Sequence, residues 1–532
     1  MEASSGRASR ALPVAVVVAA AFAAHWPALR AGYVLDDDTL LADNPYVRTA
    51  SGLRVLLTSE FFLATAYPEH VAQYRPVSGA LNWVSWQLLG GSSAAQHGLD
   101  IAMHAGVAVL LLAVLRAAGI RPGIALAAAA LFAVHPATTM DVSYAEGRQD
   151  LLGWALVLGA SLAALRWRSI AALAGAGFAA TLLATHCREA FVGTFVGVAL
   201  LALVRAPGRA RAVAVAGGGV AAAVATMVLR RLVGVGSYDS QPWSVVGALA
   251  ASVATALRLA RDVVMPTDLA MLVTPSAPGP GLTILVVGMA VAVVAVTDRW
   301  LAGRTPALRP VAWAAWALAS SQAAVYAIVV LQLGPISDRY AYGFVVAAAL
   351  LGSALAQAVP APGPRGQRLV GLVAAGLALA LVPLTWARSI TFRSERALQA
   401  SMMQERPDDP ETEIAEGLGR MNAGDVEGAQ PFCAAYVRAH PRSDRANLCL
   451  GLWRIEHGRS CEALPLLRPY ALARPGYPRA RQAALAAALG CDDRAVAHEL
   501  LEQWEPAFGG AQEIVMARRE LEAREGAPAR TP

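Results

Sequence analysis

Long apolar runs separated by short polar segments fill the first three quarters of the chain. A helix needs roughly 20 mostly apolar residues to cross the hydrocarbon core of a bilayer. Runs close to that length occur at 11–29, 98–116, 122–136, 150–165, 169–185, 190–204, 211–229, 281–297, 311–332, 340–358 and 368–386. The pattern therefore predicts an all-α, polytopic membrane helix bundle of about eleven spans.

One further apolar stretch, 244–263, differs from these runs because it contains Arg258, Arg261 and Asp262. The charges recur at helical spacing on one side of the stretch. This arrangement favours a helix that lies in the membrane interface rather than one that crosses the bilayer.

The loop arginines predict the orientation, because short cytoplasmic loops are enriched in basic residues. With residues 1–10 in the cytoplasm, alternate loops hold Arg116/Arg121, Arg166/Arg168, Arg205/Arg209/Arg211, Arg299/Arg304/Arg309 and Arg365/Arg368. The first long loop, 30–97, and everything after residue 386 are then extracytoplasmic. A signal peptide cleaved near Ala21-Phe22-Ala23 is the alternative, although the apolar run continues to Leu29.

Composition agrees with a membrane protein. The chain is 56% hydrophobic and 15% charged, whereas soluble domains carry about 25% charged residues. All 44 basic residues are arginine and the net charge is +6, a bias typical of high-GC bacterial coding. No basic stripe with interleaved aromatic residues indicates a nucleic-acid partner.

From about residue 400 the pattern changes to charged, soluble helices that repeat. Three similar turn segments place Gly424, Gly458 and Gly490 at intervals of 34 and 32 residues, and the helix ends "AHP" and "ARP" also recur at 34. This is the tetratricopeptide period, in which helix pairs stack into a solenoid. The sequence predicts such a domain at 400–510, followed by a C-terminal tail at 511–532.

Four of the five cysteines lie in this repeat region, and four cysteines allow three pairings. Cys433 and Cys449 fall on consecutive helices, while Cys461 and Cys491 fall at equivalent turns. An extracytoplasmic domain would permit those two bridges. Small buried side chains at packing positions are an equally good interpretation.

Charged side chains gather at the predicted outer ends of the spans, where they are costly and are usually paired or functional. The outer loops supply Asp36, Asp37, Asp38, Arg75, Glu146, Arg148, Asp150, Arg188, Glu189, Asp338 and Arg339. Together these groups suit a phosphate ligand and a general base, because the planar fork of arginine grips phosphate oxygens.

Each of these groups also has a structural interpretation. The three aspartates could form a solvated turn, and Asp150 is expected to cap the helix that follows it. Arg188-Glu189 and Asp338-Arg339 could be ion pairs that close helix ends. His135, before a proline, is expected to cap a helix rather than bind a ligand.

Metal binding is not favoured by the spacing of ligands. His97 and His104 share one face of the second span without a third ligand, so packing or hydrogen bonding is the better interpretation. Asp36 and Asp38 form an Asp-X-Asp pattern that could hold Mn²⁺ or Mg²⁺. We expect a metal-independent site, with a divalent metal as the alternative.

The order of these motifs resembles a known family. An Asp-Asp pair follows the first span; "YRP" (74–76), "FAVHP" (132–136), "GRQD" (147–150), a basic-Glu pair and "RYAY" (339–342) come next; and repeats end the chain. From about residue 11 to 505 this resembles the transmembrane and tetratricopeptide-repeat O-mannosyltransferases, which are fold-C glycosyltransferases, and their bacterial relatives.

The resemblance implies a fold-C-like transmembrane domain at 11–390 in the cell inner membrane. At its outer face, the enzyme would transfer a hexose, mannose in this family, from polyprenyl phosphate to Ser or Thr of an exported polypeptide. The repeats would select that polypeptide. The essential acidic residue of the first outer loop maps onto Asp36 or Asp37. No cofactor besides the lipid-linked donor is implied with certainty.

Within this mechanism the arginines would stabilise the donor phosphate. The residues expected to bind it are Arg75, Arg148, Arg188 and Arg339, supported by Glu146, Glu189, His135 and Asp338. The chain departs from the family at "CRE" (187–189), where relatives have "SKE". It also has Thr138 in place of a histidine, and Met140 or Asp141 in place of a glutamate.

Other functions remain open. A membrane-anchored scaffold would need only the repeats, and a fold-C enzyme could act on a glycan or lipid acceptor instead of a protein. A flippase would need a polar path through the bilayer, and the spans are almost free of internal charge.

Overall fold

A computed structural model describes residues 2–61, 73–205, 208–235, 244–271, 279–333, 336–360, 363–405, 410–422, 424–439, 444–473, 478–508 and 512–525. Within these ranges the fold is all-α, and they contain no β-strand. The chain divides into two compact units. The first comprises Met1–Asp37, Tyr46–Phe61 and Ala72–Ser394, and the second includes Asp38–Pro45 and Glu395–Pro532.

Up to residue 391 the long helices follow the apolar runs of the sequence, and three shorter helices lie within the loop predicted at 30–97. The helices of this part are α1 (Glu2–His25), α2 (Pro45–Arg48), α3 (Gly52–Thr58), α4 (Pro76–Leu89), α5 (Ser93–Ala117), α6 (Pro122–Ala133), α7 (Thr139–Ser143), α8 (Arg148–Arg166), α9 (Ile170–Cys187), α10 (Phe195–Ala202), α11 (Gly208–Val233), α12 (Val245–Val264), α13 (Pro280–Arg304), α14 (Arg309–Leu333), α15 (Tyr342–Ala358) and α16 (Pro364–Thr391).

Among the described residues, eight helices are long and apolar enough to cross a membrane, so the chain has the character of a multi-pass membrane protein. A ninth is obtained if α6 and the bent segment Pro136–Ser143, which meet at 57°, form one broken span. The prediction of eleven differs at α8 and α10. Charged residues open α8, and α10 has only eight residues, a length of about 12 Å.

Arginines from the loops predicted to be cytoplasmic meet at one end of the first unit, which we call the arginine end. There Arg121 donates to the carbonyl oxygens of Ala356 and Gln357 at the end of α15. Arg205 donates to the carbonyl of Ala117, and Arg211 to that of Ala164. Cations at helix C-termini satisfy free carbonyls and complement the helix dipole. The side of the membrane that this end faces stays a prediction.

The stretch predicted to lie in the interface forms α12. It packs against α13, α14 and α15 and is too charged to count among the candidate spans. Its C-terminal end contacts two other segments. The carbonyl of Val263 accepts from His135, and the carbonyl of Ala270, just beyond the helix, accepts from the backbone N–H of Asp338.

The second unit has its own apolar core. Its helices are α17 (Glu395–Glu405), α18 (Pro410–Asn422), α19 (Val426–Ala439), α20 (Asp444–Glu456), α21 (Ser460–Ala473), α22 (Pro478–Gly490), α23 (Arg494–Phe508) and α24 (Gln512–Glu525). Each helix from α17 to α24 packs against the next, and α18, α20 and α22 also touch in succession. That this stack is a tetratricopeptide solenoid stays a prediction.

The turns of the second unit partly follow the predicted repeat. Gly424 and Gly458 have φ values of +79° and +69°, which glycine adopts without steric cost. The third turn uses Asp492 at φ +56° instead, because Gly490 is still the last residue of α22. The prolines of the repeated helix ends, Pro441 and Pro475, lie outside the described residues.

Both favoured disulfides are present in the structure. Cys433 on α19 is bonded to Cys449 on α20, with Cα atoms 5.5 Å apart. Cys461 is bonded to Cys491 across neighbouring turns, with Cα atoms 4.7 Å apart. The segment predicted as a tail contains α24, whose Ile514 is buried in the same core.

Candidate functional site

A large group of charged residues in the first unit, with carboxylates as well as arginines, gathers at the end away from the arginine end. We call this region the ion-pair end and define it by Asp37, Arg75, Asp100, Glu146, Arg148, Asp150, Arg188, Glu189, Asp338, Arg339 and Arg388. The segment 144–150, which runs from the end of α7 into the first turn of α8, lies at its centre. Short 3₁₀ turns at Ala145–Gly147, Glu189–Phe191 and Asp338–Ala341 carry four of its residues, namely Glu146, Glu189, Asp338 and Arg339.

Asp37 holds the central segment through its backbone. Its two carboxylate oxygens accept from the N–H groups of Glu146, at 2.9 Å, and Ala145, at 3.1 Å. The side chain is buried, and burial raises its pKa to about 8 against the opposing effect of His97 and of these hydrogen bonds. The neighbouring Asp36 is only half-buried. Leu35 precedes them at φ +51°, a strained conformation for a branched side chain.

Glu146 is the carboxylate with the most cations around it. It forms an ion pair with Arg339, lies 3.5 Å from Arg75 and accepts from the amide of Gln149 at 2.5 Å. Burial disfavours its charge, but Arg339, Arg188 and Arg75 outweigh burial and lower its pKa to about 2. Glu146 is therefore ionised at neutral pH.

Arg75, at the start of α4, connects two segments. Its Nε donates to Glu189 at 2.8 Å and one Nη to Gln149 at 3.1 Å. Glu189 also lies 3.7 Å from Arg230 at the end of α11. Glu189 thus joins α4 to α11.

Asp150 pairs with Arg188 and does not cap α8, so the expected capping role is wrong. The helix begins at Arg148 with Gly147 as its N-cap residue, which places Asp150 in the first turn. The 3₁₀ turn before the helix moves the start two residues ahead of the aspartate. Its carboxylate is therefore available to a guanidinium from another segment.

Arg148 is fully engaged with buried partners. Its Nε lies 3.1 Å from Asp100, and its Nη atoms donate to Asp100, Ser85 and Gln96 at 2.8–3.2 Å. Asp100 is also 3.5 Å from His97. Only 1% of Arg148 is exposed, so this guanidinium is the least available of the four predicted to bind phosphate.

Asp338 and Arg339 are neighbours in sequence with different partners. Asp338 accepts from Arg388 near the end of α16 at 2.9 Å, whereas Arg339 pairs with Glu146. The side chain of Arg339 is 12% exposed, and its Nε has no acceptor among the described residues. Arg188-Glu189 and Asp338-Arg339 were expected as possible ion pairs between sequence neighbours. Each of these four residues pairs instead with a residue of a distant segment.

The histidines contact carbonyls and hydroxyls. His135 accepts from the N–H of Ala137 and contacts the carbonyl of Val263 at 3.0 Å, so it caps the turn Pro136–Thr138 as expected. His104 contacts the hydroxyl of Tyr342 at 2.9 Å. No group of three or more His, Cys, Asp or Glu among the described residues could hold a metal, and metal dependence stays an expectation.

Sequence reasoning missed several members of the site. Asp100, Gln149, Arg388 and Tyr340 of the RYAY motif were not singled out, and Asp141 was noted only as a departure from the family. Charges at the ends of two apolar runs would have indicated Asp100 and Arg388. Asp141 is fully buried, and neither carboxylate oxygen has a hydrogen-bond partner within the described ranges.

An apolar groove of about 1130 Å³ lies along α6, α15 and α16. Arg121 and Gln367 border it at the arginine end, and His135 and Val263 border it near the ion-pair end. Its walls are mostly aliphatic, with Leu131, Ala349 and Leu377 among them. The groove therefore follows the height of the bundle and reaches the turn next to α7.

Two known proteins are similar to part of the chain. They are Protein O-mannosyl-transferase TMTC3 from Mus musculus, 30% identical over 150 residues, and the Homo sapiens protein of the same name, 28% identical over 154. The matches cover 28% and 29% of this chain but only 16% and 17% of the relatives, about a sixth of their length. No family model and no solved structure matches the chain.

Proposed function

We propose that the protein is a membrane glycosyltransferase that moves a hexose, mannose by analogy, from a polyprenyl-phosphate donor to a Ser or Thr hydroxyl of an exported polypeptide. The ion-pair end carries this proposal, because segments from α4 to α16 converge there on residues 144–150. Similarity to proteins named O-mannosyl-transferases supports the reaction class. Buried guanidinium groups beside carboxylates suit a reaction in which a phosphate leaves and a hydroxyl loses its proton.

Asp36 is the better general base of the two predicted aspartates. Asp37 is occupied by two backbone N–H groups and therefore positions the central segment. Asp36 is half-buried and within electrostatic reach of Tyr144. As the acceptor oxygen bonds to C1 of the sugar and the C1–O bond to phosphate breaks, Asp36 takes the hydroxyl proton. Such assistance is worth roughly 10²–10⁴-fold in rate.

The phosphate gains negative charge as it leaves, and fixed cations stabilise that charge. Arg339 is the first candidate because it is partly exposed and its Nε has no acceptor within the described ranges. Arg188 and Arg75 are the next candidates. Arg148 instead supports the site by holding α8 to α5 through Asp100.

The apolar groove would hold the polyprenyl tail of the donor. Its aliphatic walls offer no polar group to a hydrocarbon chain over most of their length, and its outer end lies beside His135 and α7. A tail lying there would bring the phosphate towards Arg339, because the turn Pro136–Thr138 packs against the turn Asp338–Ala341.

The base is tested by making Asp36→Asn and Asp37→Asn separately in purified, membrane-reconstituted protein. Transfer of labelled hexose from a polyprenyl-phosphate hexose to a Ser/Thr peptide is measured. We expect Asp36→Asn to lower kcat about 100-fold or more with little change in donor KM. Asp43→Asn, an exposed carboxylate of the same loop, is the control. Wild-type transfer by both variants would exclude the proposed base.

The groove is tested with Gly352→Phe. A side chain added at Gly352 meets open space, so phenylalanine fills the groove without a clash at its Cβ. We expect a higher KM for long-chain donors and an unchanged KM for a short-chain donor. Gly288→Phe on α13, also open but outside the groove, is the matched control. Equal effects on both chain lengths would contradict the assignment.

A scaffold without catalysis is the second candidate. Each arginine of the ion-pair end already has a carboxylate partner, which is also what a purely structural cluster requires. A scaffold predicts no hexose transfer by the wild type. It also predicts that Asp36→Asn leaves cellular function intact.

A further inference from the structure

Two arginines of the ion-pair end share one aromatic ring. The guanidinium carbon of Arg188 lies 4.6 Å from the ring centroid of Tyr340, and that of Arg339 lies 5.4 Å from the same centroid. Tyr326 stacks on Tyr340 with centroids 4.1 Å apart and an angle of 4° between the rings. Tyr144 is 5.6 Å from Arg339. Aromatic rings therefore border both cations.

The two guanidinium groups are near enough to repel each other, and their carboxylate partners, Asp150 and Glu146, both lie on the central segment 144–150. The face of an aromatic ring is negative and attracts cations, more strongly where water is excluded. The ring of Tyr340, which is 8% exposed, can therefore hold two like charges side by side. Adjacent guanidinium groups suit a phosphate, which offers several anionic oxygens at once.

The geometry of the two ion pairs is compatible with an additional anion at Arg188 and Arg339. Asp150 and Glu146 each contact one Nη of their arginine. The Nε of Arg339 is buried without an acceptor in the described part of the chain. Burying such a donor is unfavourable unless a partner arrives.

We propose that Tyr340 is a positioning residue that holds Arg188 and Arg339 together as the phosphate-binding pair of the donor site. This proposal rests on the proposed function. It reduces the four arginines that were predicted to bind the donor phosphate to two, Arg188 and Arg339. The ring, and not the hydroxyl, performs this role. Tyr326 stacks on this ring, and its own centroid lies 5.7 Å from the guanidinium carbon of Arg188.

The test compares Tyr340→Phe, which keeps the ring, with Tyr340→Leu, which removes it. Binding of farnesyl phosphate and of farnesol to the reconstituted full chain is measured, and the ratio of the two affinities isolates recognition of the phosphate. Tyr342→Phe is the control, because it removes a neighbouring tyrosine hydroxyl that contacts His104. Tyr340→Met replaces the leucine variant if that variant does not fold.

We expect Tyr340→Phe and Tyr342→Phe to keep the wild-type ratio within about threefold, and Tyr340→Leu to lower it about tenfold. An unchanged ratio in Tyr340→Leu and Tyr340→Met would overturn the role of the ring. An equal loss in Tyr340→Phe would assign the effect to the hydroxyl and overturn it too.

The outcomes also separate this inference from the proposed function. A wild type that prefers farnesyl phosphate but transfers no hexose would refute the transferase and leave the phosphate pair standing. A wild type that binds both probes equally would refute the phosphate pair itself. Normal transfer by Tyr340→Leu with an unchanged ratio would refute only the role of Tyr340.

Discussion

Asp37 is a buried acid whose oxygens both contact backbone N–H groups, and it is more useful to the fold than to the reaction. Asp36 and Asp37, although adjacent in sequence, therefore lie in different environments. Asp36 is half-buried and is the proposed base, whereas Asp37 fixes the segment that carries Glu146. The chain reaches these aspartates through Leu35, whose φ of +51° is strained for a branched side chain.

Stability should fall as pH rises because of Asp37. Its pKa in the folded protein is about 8, above the ordinary value of 3.8. Between those values the folded state keeps a proton that the unfolded state has lost, so each pH unit removes at most about 1.4 kcal/mol. In thermal unfolding from about pH 5 to about pH 8, wild type should lose stability relative to Asp37→Asn. A difference in Tm that is constant with pH would contradict this.

At this scale the sequence predicts which residues are charged but not which partner each one chooses. The outer-loop positions Glu146, Arg188 and Arg339 were identified because charge next to an apolar run is conspicuous. Their neighbours Asp100 and Arg388 were not identified, because the partners in a buried ion pair depend on which helix ends lie together in the fold. Asp150 shows the same limit. It was expected to cap α8, but the 3₁₀ turn makes the helix begin two residues earlier, and Asp150 pairs with Arg188 instead.

Among the elements, the 3₁₀ turn Ala145–Gly147 has the greatest effect on the site. It connects α7 to α8, carries Glu146 and donates two N–H groups to Asp37. Its last residue packs directly on the backbone of α7. The apolar pattern predicted the long helices around this turn well, because burial in lipid or core selects the same residues. It could not predict a three-residue turn that tertiary packing stabilises.

Gly147→Ala should disrupt this turn. A Cβ at Gly147 would lie 2.5 Å from the Cα of Asp141, and backbone atoms cannot yield by that amount without moving the turn. We expect a loss of about 2 kcal/mol or more in the free energy of unfolding, together with loss of transfer.

Gly159→Ala on α8 is the control for Gly147→Ala. A Cβ there meets open space, so the substitution should be neutral or stabilise the helix by up to about 1 kcal/mol. Chemical denaturation of both variants in the same detergent checks the comparison. Equal stability of the two would show that the turn tolerates a side chain.

At the scale of the whole molecule, the change in composition near residue 400 predicts two parts, and the structure divides into two units close to that point, at Ser394 and Glu395. The structure adds Asp38–Pro45 to the second unit, which a linear reading of the chain could not anticipate. Arginines from alternate loops contact helix ends at the arginine end. The side of the membrane is a separate question and needs a chemical test.

The disulfides provide that test. If the second unit is extracytoplasmic, Cys433, Cys449, Cys461 and Cys491 should resist alkylation in denatured cell lysates until a reductant is added. Cys187, which is buried and unpaired, should react only after denaturation. Mass spectrometry of alkylated peptides makes the measurement. Alkylation of all four without reductant would place the unit in a reducing compartment.

The position of Arg388 in the chain also bears on how the membrane part is assembled. Its contact with Asp338 spans 50 residues, a distance that ribosomes cover in several seconds at about 5–20 residues per second. Asp338 is thus synthesised well before α16 can deliver its guanidinium. A chain truncated ahead of α16 would insert with a carboxylate lacking that counter-ion, and charges at membrane depth are costly without a partner. Formation of this ion pair therefore has to wait for synthesis of the last helix of the first unit.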